Sequence, residues 1–164
     1  MQIAIRPHTS IEDLTYSNLF SDEGRILVNE YRSYWYEYIE PITNGGNYQE
    51  LMDELLEVIQ ETRAEGWDGY NGESVRAASI EQAAVFLKQW PAEFPNPEIS
   101  VDPDGEISFD WIKNKYLTFS ISFSGHGHIS YAGLIGANSI RGKEIFDEEI
   151  PEVVFQQIKR VFSF

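Results

Sequence analysis

His126 and His128 stand two positions apart in "SGHGH", the spacing that turns two imidazoles to the same side of an extended strand. Such a pair is half of a metal site, and imidazoles also serve acid–base chemistry. The remaining histidine is His8, and no carboxylate occurs between Asp110 and Glu144, so further ligands must come from elsewhere in the fold. A second cluster, Asp102, Asp104 and Glu106 in "DPDGE", puts oxygen ligands at alternate positions, as at the opening of a calcium loop. Its glycine comes too early, however, and the twelfth position holds no acid. Pro103-Asp104-Gly105 is also the composition of a hairpin turn, and a turn is the expected outcome. No metal or cofactor is therefore assigned.

Covalent chemistry finds less support. The chain has no cysteine, no G-x-S-x-G and no Ser–His–acid spacing. It has no P-loop and no G-x-G-x-x-G. With 27 acids, a carboxylate pair for hydrolysis could arise in any fold, yet spacing singles none out. A hydrolase or metal-dependent enzyme working through His126, His128 and carboxylates stays as an alternative.

Charge points elsewhere. The 164 residues carry 27 acids against 12 bases, a formal −15. Residues 1–50, 51–100 and 101–164 carry −5, −7 and −3, so the acid is not a tail but coats the first hundred residues. Such a field repels nucleic-acid phosphates and anionic membranes and attracts basic partners. Two segments could meet a partner. Tyr31, Tyr34, Trp35 and Tyr38 crowd more aromatic surface into "YRSYWYEY" than one helix face can bury. Glu54, Glu57 and Glu61 form the acidic side of a helix whose apolar side is Leu51, Leu55, Val58 and Ile59.

The elements that must position these residues follow from periodicity. "QIAIR" alternates like a short strand, Ser10 opens a capping-box-like start, and residues 25–39 favour a helix. Residues 48–65 read as an amphipathic helix stopped by Gly66. A second helix starts at Ser79 and ends at Pro91, Pro95 and Pro97. From residue 98 the period becomes two: Ile107, Phe109 and Trp111, then Leu117, Phe119, Ile121 and Phe123, then Ile129, Tyr131 and Ile135. Tight turns join four strands into an antiparallel meander over about 98–136 with one buried face. Pro151 opens a last helix with Val154, Ile158 and Val161 inward, flanked by Phe155 and Phe162. The expected fold is a two-layer α+β domain over 1–164, with a core at 48–164 and an aromatic-rich N-terminal extension at 1–47.

"GWDGYNGESV" at 66–75 lies between two of these helices. Asp68-Gly69 and Asn71-Gly72 are turn dipeptides with access to positive φ. Trp67, Asp68 and Tyr70 are expected to form a structural corner, with both aromatic rings pinning it onto the sheet.

That stretch, the helix "SIEQAAVFLKQWP", the strands "EISVDPDGEISFDW" and "LTFSISFSGHGHISYAGLIG", and the ending "GKEIFDEEIP" together resemble a group of small acidic bacterial proteins. The resemblance covers residues 52–162 and implies no particular activity. Antitoxins, immunity proteins and phage-borne inhibitors are similar in size and charge. The expected function is a non-enzymatic acidic protein of this kind, bound to a basic partner that can itself bind nucleic acid. A secretion-type chaperone is an alternative. Met1–Arg6 lacks the pattern of a signal peptide and no run of 18 apolar residues occurs, so a cytoplasmic location without a membrane partner is expected.

Overall fold

The computed structural model describes residues 47–147 and 149–163, which fall within the unit Asn44–Phe164. The strand at 2–6, the helix start at Ser10 and the helix at 25–39 lie outside the described residues. So do Tyr31, Tyr34, Trp35 and Tyr38.

Helix α1 spans Asn47–Glu61. Leu51, Met52 and Leu55 are buried along its inner side, as the apolar stripe requires. It ends four residues earlier than expected. Thr62 closes the last turn, its amide and its hydroxyl both donating to the Val58 carbonyl at 3.1 and 2.7 Å. Gly66 is therefore not the stop. Helix α2 spans Ala77–Lys88 and starts two residues before Ser79, with Arg76 as its flanking residue. Ser79 is no cap: its side chain is fully buried and turned to the sheet.

The sheet has five antiparallel strands in the order β1-β2-β3-β4-β5: Glu98–Val101, Ile107–Asn114, Leu117–Phe123, His128–Ile135 and Asn138–Ile145. Four were expected. β5 escaped the periodicity because its inward side is Ile140, Gly142 and Glu144, with one large apolar residue among the three. Gly142 is there for space: the Tyr131 ring lies over it, and a Cβ would come within 2.4 Å of the ring's Cζ. Helix α3 spans Glu152–Phe162, with Pro151 before it and Val154, Ile158 and Val161 fully buried.

All three helices pack on one face of the sheet, the two-layer arrangement expected of this element order. The core between the layers is aromatic. The Phe86 ring centroid is 5.4 Å from Trp90 and from Phe123, 5.6 Å from Phe109 and 5.7 Å from Phe146. The link after α2 is fixed by the Trp111 indole, which donates to the Pro95 carbonyl at 2.9 Å. On the far edge, the Glu54 carboxylate accepts the Ile99 amide of β1 at 3.3 Å, so α1 covers that edge.

Candidate functional site

Among the described residues, three regions hold side chains suited to recognition, and the β3–β4 hairpin holds two histidines. The first is the outer side of α1. Glu50, Asp53, Glu57 and Glu61 are exposed at spacings of three and four, and the last turn holds no base. Glu54, also expected to meet a partner, is half-buried and bound to β1, so it serves the fold.

The second is the corner after α1. Asp68 Oδ1 accepts the amides of Tyr70 at 2.9 Å and Gly72 at 3.0 Å. Those bonds, Tyr70's first, hold its carboxyl below the usual aspartate value. Gly66 and Gly69 take φ of +73° and +79°, which an L side chain adopts only with strain. Gly72 does not, contrary to the turn-dipeptide reading. It is small because a Cβ there would come 2.9 Å from Asp68 Cγ. Trp67 is half-buried, and its indole donates to the Glu73 carbonyl of the same loop at 2.9 Å. Tyr70 is 86% exposed, so it pins nothing to the sheet. The corner is fastened by backbone instead. The Glu73 amide donates to Pro103 at 2.8 Å and the Arg76 amide to Gly105 at 2.9 Å, and the Arg76 guanidinium lies 3.2 Å from Glu106. Asp68 thus rigidifies a loop that presents an aromatic side chain to solvent.

The third region is the outer face of the sheet, opposite the helices. Ser100, Ser108, Ser122, Ser130 and Lys143 form one row across five strands. Glu98, Asp110, Ser120, Ala132 and Arg141 form the next. Beyond them lie Ile112, Thr118, Leu134 and Ser139. Serine hydroxyls donate to the carboxylates: Ser108 to Asp102, Ser120 to Asp110, and Ser122 to Glu106 at 2.8 Å. Burial raises the Asp102 carboxyl above its usual value, against the Ser108 hydrogen bond and with added repulsion from Asp104, Asp110 and Glu106. The "DPDG" segment is the expected turn, with the Gly105 amide donating to Asp102 at 2.8 Å.

His126 and His128 lie at the β3–β4 hairpin, their ring centroids 6.4 Å apart. His128 contacts the His126 carbonyl through Nδ1 at 3.1 Å and Ser124 Oγ through Nε2 at 3.4 Å. A carbonyl thus orients the ring where a catalytic triad has a carboxylate. Among the described residues, no three His, Asp or Glu side chains are grouped to hold a metal ion.

Ser79 and Gln82 were missed as more than helix residues. The Ser79 hydroxyl accepts the Ile107 amide at 2.7 Å and donates to the Phe123 carbonyl at 2.6 Å. Gln82 accepts the Gly125 amide at 2.9 Å and donates to the His128 carbonyl at 3.1 Å. A Ser–Gln pair three apart on the apolar side of a predicted helix was the available signal, since buried polar groups there need partners. The paired serines were legible only as the polar half of each strand.

Compared with known proteins, the chain matches no family model, no curated protein and no solved structure. No described helix is long and apolar enough to cross a membrane.

Proposed function

We propose that this chain is a non-enzymatic interaction protein that binds a basic protein surface, in the manner of an antitoxin, immunity protein or inhibitor. The observation that carries the reading is the exposed acidic side of α1, Glu50, Asp53, Glu57 and Glu61, which leads into the corner presenting Tyr70. Carboxylates steer a cationic partner into place, and a tyrosine on a rigid loop loses little entropy on contact. The formal −15 of the whole chain supports the same class of partner. The likeness of residues 52–162 to small acidic bacterial proteins, and a cytoplasmic location, belong to this proposal.

The test is affinity capture from the native host with the full chain and with a Glu50→Gln, Asp53→Asn, Glu57→Gln, Glu61→Gln variant. The expected result is a stoichiometric basic partner that elutes with salt and is lost from the variant. Capture of the same proteins by both chains, or of no stoichiometric partner, refutes the reading.

A further inference from the structure

The outer face of the sheet has a polarity that its strand order creates. Acids gather on the β1–β2 side, with Glu98, Asp102, Glu106 and Asp110, while the β5 side carries Arg141 and Lys143. Its middle is flat and small, because Ser120 and Ser122 are the outward residues at the centre of β3. At one end it exposes Ile112 on β2 and Leu134 on β4, 58% and 40% accessible. These two stand in one row on either side of Thr118 in β3.

The geometry points to a second copy of this chain as the occupant of this face, packed sheet to sheet about a two-fold axis that runs parallel to the strands over β3. That operation inverts the strand order and preserves each row. Glu98 then lies over Arg141 of the partner subunit, and Ile112 over Leu134 of the partner subunit. Ser120 and Ser122 meet their own copies at the axis. The charge pair and the apolar pair each form twice, as an isologous interface demands. Small central side chains let two sheets approach to the usual spacing of about 10 Å in aligned packing.

Two other symmetric arrangements set like charges together. A two-fold across the strands lays β1 over β1 and sets Glu98 among like charges. Pairing two β5 edges about residue 141, 142 or 143 sets Arg141 or Lys143 opposite another base. The face spans roughly 24 Å across five strands at about 4.8 Å and at most roughly 26 Å along them at about 3.3 Å per residue, with β1 covering only Glu98–Val101 of that length. That is the low end for a specific interface. Its helices face outward, which leaves both acidic α1 surfaces free. The inference stands apart from the proposed partner and does not depend on it.

Sedimentation of the full chain over a range of micromolar loadings tests it. The expected result is a reversible shift from the 18.9 kDa protomer to twice that mass. Glu98→Arg and Arg141→Glu each weaken the dimer by about tenfold or more, because each variant dimer holds two contacts between like charges. An equimolar mixture of these two variants associates as the wild type does, since every Glu98–Arg141 contact then joins opposite charges. Both positions are exposed, and unchanged melting curves confirm that the variants fold. A monomer at all loadings, a dimer indifferent to both substitutions, or a mixture no tighter than its components overturns the inference.

Discussion

The hydroxyl of Ser79 joins one helix to two strands. It accepts from Ile107 at the start of β2 and donates to Phe123 at the end of β3, with no exposure to solvent. Replacing it by alanine adds helix propensity, yet it strands an amide and a carbonyl where water cannot reach them. Each orphaned group costs about 1–3 kcal/mol, far more than the propensity gain of a few tenths. Ser79→Ala is therefore expected to lower unfolding free energy by about 2–4 kcal/mol in urea titration, and a change below about 0.5 kcal/mol would remove this role. The residue type was legible as a helix-start signal, but its direction was not. A hydroxyl satisfies its own helix or a neighbouring strand equally well, and only the packed sheet decides between them.

The β1–β2 hairpin shows what an element imposes on its side chains. Its turn was legible in "DPDG", and the buried faces of β2 and β3 were legible in their alternation, because each faces a helix layer on one side only. β5 was not: an edge strand needs little apolar surface, and glycine plus charge conceals the period. The same pairing brings Asp102 beside Ser108 and toward Asp110, which spacing alone could not reveal. Burial lifts the folded pKa of Asp102 above its unfolded value, so its ionised form costs stability at neutral pH. That cost is relieved as pH falls from the raised folded value toward the unfolded one, where the folded state binds the extra proton. Asparagine keeps an acceptor for Ser108 without the charge. Asp102→Asn is expected to melt above the wild type at pH 7, with the difference shrinking as pH falls through the acid range. A difference that widened toward low pH would contradict the assignment.

At the scale of the described unit, stability is concentrated in one aromatic cluster while charge is spread over the surface. Composition showed the aromatics and the acids, and periodicity showed which strand residues turn inward. The convergence of Phe86, Trp90, Phe109, Phe123 and Phe146 from four different segments required the fold itself. Phe86 has no accessible surface and touches both layers, so no single element can relax into the space it vacates. Truncation to alanine removes its burial and leaves a cavity, at about 3–5 kcal/mol. Domains of this size hold about 5–15 kcal/mol in total, so the loss is a large part of it. Because helix and sheet share the cluster, they lose it together. Phe86→Ala is expected to lower the denaturant midpoint sharply with its slope unchanged, and far-ultraviolet dichroism and tryptophan fluorescence should still report one transition. Separation of the two probes would mean that the helices and the sheet are stabilised independently, and that the aromatic cluster is not what binds the layers into one cooperative unit.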